Sequence, residues 1–239
     1  MEKSNIEDMQ SDSDKDYAKH ETNTKWIVWY HNPSDKNWNL DSYKDIIEIS
    51  SIEDFWVLKN SWSNCLPNVY EGMFFLMRKR DNKCIYPQWE DKHNRKGGYW
   101  SFKVEKSISE KAWFNLMMHT LGEWIVNDKN NTYLINGISI SPKKNFCIIK
   151  IWNGDSTQNS NSLLSKDLKF LNMEEVLYSN HEDNIQKDSD KFKRRNNYKN
   201  KNHYNNFSSG GKGRGRGRDR GRDRGRDQGR DRGRGYRKY

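Results

Sequence analysis

Ten tryptophans fall between Trp26 and Trp152, and neither the 25 residues before nor the 87 after carry one. Each indole has roughly 150–250 Å² of surface to bury, so this stretch must build a core while its flanks supply little to one. Residues 1–24 are acidic and polar, with too few apolar groups to offset the entropy of ordering, and are expected to be disordered. The same is expected of 184–239, an Asn/Lys stretch followed by a Gly-Arg-Asp repeat. That leaves one domain over residues 25–183, a length ample for a single core.

Charge follows the same division. From Lys191 to Tyr239 there are 19 Lys and Arg against 4 Asp and Glu, whereas residues 1–24 carry 3 against 7. The middle is almost neutral, at 21 against 22, so the net charge of +10 belongs to the C-terminal tail. Cys65, Cys84 and Cys147 are scattered and include no CxxC pair, which speaks against a disulfide framework or a zinc site and fits reduced thiols in the cytosol or nucleus. No metal cluster, nucleophile–base pair or P-loop is recognisable, so no enzyme and no bound cofactor is expected. No apolar run approaches the ~18 residues of a membrane helix, and the polar N-terminus is neither a secretory signal nor a transit peptide.

Within the middle, Lys25–Tyr30, Tyr43–Ile49, Gly72–Arg78, Tyr99–Val104, Tyr133–Ile140, Asn145–Trp152 and Val176–Ser179 read as strands. Ser51 caps a short helix over Ile52–Asn60, with Glu53 and Asp54 in its first turn. Ser109 caps a longer one to about Val126, and a third is expected within Ser162–Met173. About eight strands, mostly adjacent in sequence, with three helices predict an α+β domain: a curved, mostly antiparallel sheet with helices on one face.

Two tryptophans do not suit a core. Trp38 follows Asp35-Lys36-Asn37, and Trp89 stands between Pro87-Gln88 and Glu90-Asp91, so both read as loop residues. A carboxylate only accepts hydrogen bonds, and guanine offers adjacent N1–H and N2–H₂ donors on one edge. Methylation at N7 makes the ring a cation, which adds cation–π attraction to stacking on indoles. Trp38, Trp89 and Glu90 therefore suit 7-methylguanine. Taken alone, Trp89-Glu90 also fits a half-buried core tryptophan beside a solvated carboxylate.

The longer string Trp89-Glu90-Asp91-x-x-Asn94-x-x-Gly97-Gly98-x-Trp100 resembles the signature of the eukaryotic translation initiation factor 4E family, which binds the mRNA 5′ cap. So do Glu53-Asp54-Phe55-Trp56, Trp26-x-x-Trp29 with Trp38 nine residues on, Trp113, Trp152 and Tyr178-x-x-His181-x-Asp183. Eight tryptophans match in order over roughly residues 25–183, and Trp62 and Trp124 are extra. The resemblance implies a curved eight-stranded antiparallel sheet backed by three helices, with the cap in its concave face. It implies that Trp38 and Trp89 sandwich the base, that Glu90 binds its Watson–Crick edge and that Trp152 meets the N7-methyl group. For the triphosphate it implies three basic residues. Lys143 fits one position, with Lys144 beside it, but Tyr99 and Ile148 occupy the other two, with Arg95 or Lys96 as compensation. Weaker dependence on the phosphate chain is therefore expected.

The resemblance also implies a partner face, which docks a Tyr-x-x-x-x-Leu-hydrophobic helix of a scaffold initiation factor or a repressor. Its positions here are Ile52, Trp56, Phe114, Met118 and Gly122. Along the long helix Trp113, Met117, Leu121 and Trp124 should face the sheet, with Phe114, Met118 and Ile125 as a second stripe. The family's His-Pro-Leu is replaced by His20-Glu21-Thr22, and Asn115 stands where an acidic residue is usual. Two roles follow, an initiation factor that recruits the scaffold, or a relative that binds caps and represses or stores mRNA. The Gly211–Gly235 repeat suits weak, salt-dependent RNA binding or a solubilising tail. An arginine-rich RNA-binding protein with a degenerate pocket is a third reading, opposed by the intact Trp38, Trp89, Glu90 and Trp152.

Overall fold

The computed structural model describes residues 19–81, 83–191 and 193, and every element named below lies in one compact unit that ends at Phe192. The expected disorder of the first 18 residues, and the whole Arg/Gly repeat, lie outside the described residues.

The strands are β1 (Glu21–His31), β2 (Tyr43–Ser51), β3 (Met73–Arg80), β4 (Lys83–Cys84), β5 (Gly98–Glu105), β6 (Ile135–Pro142), β7 (Phe146–Asn153) and β8 (Leu177–Asn180). They pair antiparallel throughout in the order β2-β1-β3-β6-β7-β5-β8, with β4 added to the end of β3. The sheet is open and curved. Bulges between Val28 and Trp29 against β2, and between Ile135 and Gly137 against β7, bend it locally.

In β1 and β3 both faces are apolar, so those sequences run hydrophobic, whereas β5 (Gly98–Glu105) alternates buried with part-exposed residues. On one side Trp26, Val28, Phe74, Leu76, Ile149 and Ile151 join the helix residues in the main core. Their neighbours Ile27, Trp29, Phe75, Met77 and Trp152 form a second cluster on the concave side. Period-two geometry thus sends alternate residues of one strand to the core and to the cleft.

Helix α1 (Ile52–Cys65) starts at a reciprocal capping box. Ser51 Oγ accepts from the Asp54 N–H at 3.1 Å, and the Asp54 carboxylate accepts from the Ser50 and Ser51 N–H groups, each at 3.0 Å. The helix runs past the expected Asn60 because Trp62 packs edge-on against Phe74 and Phe114 and donates from Nε1 to the Pro67 carbonyl at 3.0 Å. Tertiary burial overrides the weak propensity of Ser61 and Ser63.

Helix α2 (Lys106–Leu121) differs from expectation at both ends. It begins after Glu105, and Ser109 lies inside its first turn with Oγ donating to the Lys106 carbonyl at 2.9 Å. It stops at Leu121 because Glu123 takes a left-handed conformation, φ 57°, and buries its carboxylate on Arg78 at 2.7 Å. Trp124 therefore leaves the helical stripe, and instead of facing the sheet it is 63% exposed.

No α-helix forms within Ser162–Met173. A 3-10 turn at Asn161–Leu163 is followed by irregular chain, although Leu164, Leu168 and Leu171 are buried at helix-like spacing. Ser165 Oγ accepts from the Asp167 N–H, and Phe170 sits at φ 69°, so local bonding and a left-handed residue interrupt the helix. The third helix, α3, spans 181–191, in chain expected to be disordered from 184. The ordered chain also starts earlier than Lys25, with β1 at Glu21.

Candidate functional site

The concave face opens into one cavity of about 710 Å³ whose wall includes Trp38, Trp89, Glu90, Lys143, Lys150 and Trp152. Each comes from a different local solution. Trp38 lies within a run of side-chain-closed turns: Asn32 Oδ1, Asp35 Oδ1 and Asn37 Oδ1 accept in turn from the N–H groups of Ser34, Asn37 and Asn39. Its indole lies parallel to the His31 imidazole, with ring centres 4.3 Å apart and planes 4° apart. His31 is fully buried and donates from Nε2 to the Asn37 carbonyl at 2.8 Å. One indole face is thus backed and fixed, while the side chain remains 51% exposed.

Trp89 and Glu90 ride on a loop held from within by the two polar residues of the signature. Asp91 accepts from the Tyr86 and His93 N–H groups at 3.1 and 2.8 Å. Asn94, fully buried, donates to the Tyr86 and Gln88 carbonyls at 2.9 and 2.8 Å and accepts from Asn136 of β6 at 3.0 Å. Gln88 Nε2 then donates to the Trp38 carbonyl at 2.8 Å, tying the two tryptophan loops together. Gly97 and Gly98 close this loop onto the sheet. A Cβ on Gly97 would collide with the Asn153 carbonyl, and one on Gly98 with the Tyr178 hydroxyl at 2.5 Å. Close approach, more than turning, requires the pair.

Trp152 is buried in the cavity floor and donates from Nε1 to Ser139 Oγ at 3.0 Å. Beside it Tyr43 has its phenol pushed well above the ordinary value by burial and then by the Glu90 carboxylate, so the acidic edge of the cavity is felt at its floor. The arrangement can clamp a flat ring between indoles, accept two donors at Glu90 and press on the ring edge with Trp152. Among the described residues no group of three or more His, Cys, Asp or Glu could hold a metal.

The basic residues divide. Lys143, in the turn closed by its own N–H donating to the Phe146 carbonyl at 2.8 Å, reaches the cavity wall. Lys144 and Arg95 are exposed and stand off it. Tyr99 packs 6.3 Å from Trp152 and its hydroxyl accepts from Asn184 of α3 at 3.3 Å. Two further nitrogen-bearing side chains lie here: Lys150, which sequence reasoning missed, and His181, which entered only as part of the Tyr178-x-x-His181-x-Asp183 string with no role assigned. Lys150 lies two residues before Trp152 on β7, hence on the same face, with Nζ 3.9 Å from the Tyr99 ring centre and 5.8 Å from that of Trp89. Period-two counting along β7 would have found it. His181, the first residue of α3, is fully buried against Trp152, Tyr99 and Trp89, and neither ring nitrogen has a partner. Burial, and then the Lys150 charge, pushes it down to about 3, so it is neutral here.

On the opposite face Ile52, Trp56 and Met118 are exposed, with Lys59 Nζ 4.8 Å over the Trp56 ring. Phe114 is only 6% exposed, and its ring backs Trp62 and Phe55. Gly122 closes α2 beside Trp124. Val57 and Trp124 add apolar surface that helical spacing did not indicate. His20 donates from its N–H and from Nδ1 to Glu53 at 3.0 and 2.7 Å, which fastens the start of β1 to the start of α1.

An open antiparallel sheet, with α1 and α2 packed on its convex side and α3 beside an indole-walled cleft in its concave side, defines an α+β protein with one candidate ligand site. Helix α3 departs from the expectation that all three helices back the convex face. The chain belongs to the eukaryotic initiation factor 4E family, whose model matches residues 21–196. It is 32% identical over 162 residues to eukaryotic translation initiation factor 4E of Candida albicans, covering 64% of this chain and 73% of that protein. To the factor of Dictyostelium discoideum it is 30% identical over 177 residues, covering 70% and 66%. The fold is also that of C. elegans eIF4E-3, solved with the 4E-binding protein Mextli and a cap analog: TM-score 0.59 at 23% identity, covering 71% of this chain and 96% of that one. Several relatives are matched over just under two thirds of their length, as with the 65% of the Saccharomyces cerevisiae factor.

Proposed function

We propose that this protein binds the 7-methylguanosine cap of mRNA in the concave cavity and acts in translation initiation. The observation that carries the reading is the pairing of a His31-backed, half-exposed Trp38 with Trp89-Glu90 around one cavity floored by Trp152. A volume of about 710 Å³ suits a nucleotide. The names of the relatives support the role, and Trp38 and Trp89 supply the base sandwich, Glu90 the guanine edge and Trp152 the methyl contact. The test is a tryptophan-fluorescence titration with 7-methyl-GTP against GTP, on wild type and Trp89→Ala. Stacking is worth roughly 1–3 kcal/mol per base before any cation–π gain, so the variant should bind the methylated nucleotide at least ten-fold more weakly. Equal affinity of the wild type for both nucleotides would refute the reading.

On the convex face, Ile52, Trp56 and Met118 suit a short amphipathic helix of the Tyr-x-x-x-x-Leu-hydrophobic type, carried by a scaffold factor or a repressor. The second reading, a relative that binds caps and represses or stores mRNA, is favoured by one feature: His20, at the edge of this face, is occupied by Glu53. A peptide of that motif separates the two. Trp56-dependent binding supports recruitment, and its absence supports repression. The Arg/Gly tail would add weak RNA avidity, and the cytoplasm, with the nucleus as a second location, would be the place of action.

A further inference from the structure

The cavity holds a cation without a counter-ion. Among the described residues Lys150 pairs with no carboxylate, and what offsets its partial burial is the π-face of Tyr99 at 3.9 Å and, at 5.8 Å, that of Trp89. The groups around it are nearly all unable to neutralise it. Lys143 reaches the same wall from the β6–β7 turn, His181 approaches from α3 as a neutral ring, and Ser139 opposite on β6 is engaged by Trp152. Two carboxylates share the cavity: Asp188 of α3 is paired with Lys191 at 2.9 Å, and Glu90 lies on the acidic edge facing Tyr43.

Lys150 stands between the two ends of the ligand assumed above. It shares a strand face with Trp152, which meets the methylated edge, and with Ile148, which occupies a phosphate-side position. Its ammonium lies against Trp89, so it faces the same ring that must stack a cationic base. A fixed positive charge there opposes a positively charged base and attracts a phosphate chain.

We propose that Lys150 makes recognition of the methylated base conditional on the attached phosphates, Tyr99 serving as the platform that holds its ammonium in place. This rests on the cap-binding reading and reverses the weak phosphate dependence expected from Tyr99 and Ile148. The missing cation enters two positions along β7 from Ile148, and Tyr99 becomes its support.

The free protein supplies a second handle. Burial, and then the neighbouring Lys143 charge, pushes the Lys150 ammonium down to about 8. A bound phosphate favours the charged form and raises it again. Triphosphate binding is thus strongest below pH 8 and weakens above it as Lys150 must take up a proton, whereas a bare nucleoside gains from its deprotonation.

The experiment measures 7-methylguanosine and 7-methyl-GTP binding to the full chain at pH 7 and pH 9, for wild type, Lys150→Met and Lys150→Arg. The readout is the ratio of the two affinities, in which ionisation of the base itself cancels. The terminal phosphate is already almost fully ionised at pH 7. In the wild type the ratio should fall about ten-fold from pH 7 to pH 9. In Lys150→Met it should be about ten-fold lower at pH 7 and flat with pH, since a charge-assisted contact is gone. Lys150→Arg should keep the high ratio at both pH values, because arginine does not deprotonate, an outcome that a merely structural role would not produce. An unchanged ratio in Lys150→Met, with nucleoside still bound, overturns the proposal and leaves the cap reading standing. Failure of the wild type to bind either methylated ligand overturns both.

Discussion

The two ends of the cavity are built in different ways. At the base end every functional side chain is held by a second residue: Trp38 by His31, the Trp89-Glu90 loop by Asp91 and Asn94, Trp152 by Ser139. At the phosphate end Lys143 sits in a short turn and Lys150 rests on an aromatic face, with no hydrogen-bonded support for either ammonium among the described residues. On the cap-binding reading proposed above, the difference follows from what each end would read. A ring edge carries directional donors and tolerates little misplacement, whereas a phosphate chain is met by point charge over a broader range of positions.

The largest effect should come from Glu90→Gln, which converts a pure acceptor into a mixed donor and acceptor facing two donors. Hydrogen bonds to a charged group are worth about 1.5–3 kcal/mol, so affinity should fall by roughly 10- to 150-fold. If the ends are separable, the fold-loss is the same for 7-methylguanosine and 7-methyl-GTP. A much larger loss for the triphosphate would show that the ends are coupled through Glu90.

Where the ends meet, His181 touches Trp152 and Trp89 on one side and Tyr99 on the other, and it predicts a stability effect of intermediate size. Its folded value, about 3, lies below the ordinary 6.5. Acid therefore protonates the unfolded chain first. The stability that His181 contributes is complete above pH 6.5 and is lost as the pH falls towards 3. Between pH 7 and pH 5 the loss should be about 2 kcal/mol, read from urea midpoints. His181→Phe should remove that slope in this window. The same slope in the variant would mean that His181 is not buried as a neutral ring.

The residues proposed for the base end could be picked out in sequence because they are distinctive types at fixed spacing, Trp89-Glu90-Asp91 and Asn94 above all. The sheet was legible from β-branched and aromatic runs. What escaped was either ordinary in type or non-local in cause. Lys150 is one lysine among many, and its place in the cavity depends on strand phase. His31 gains its role only when the loop folds Trp38 back upon it. The buried leucines of 164–171 imitated a helix, although Ser165 and Phe170 bend the chain otherwise. Composition also hid α3, whose residues are polar because one side faces water. Its first residue, His181, and Asn184 tie it to the cleft.

The smallest effects discriminate most finely between the lysines of the rim. Lys143 lines the cavity but is exposed to solvent, so its attraction for phosphate is screened. Lys143→Met should cost about 1 kcal/mol in 7-methyl-GTP binding at low salt and less at 0.5 M, with nucleoside affinity unchanged. Arg95→Met, by contrast, should change neither ligand by more than about 0.3 kcal/mol, since that side chain stands off the wall. Calorimetric titration of both variants against both ligands makes the comparison. If Arg95 proves the costlier of the two, the loop after Glu90 must close over the phosphates on binding, and the phosphate end would then be assembled by the ligand instead of waiting for it.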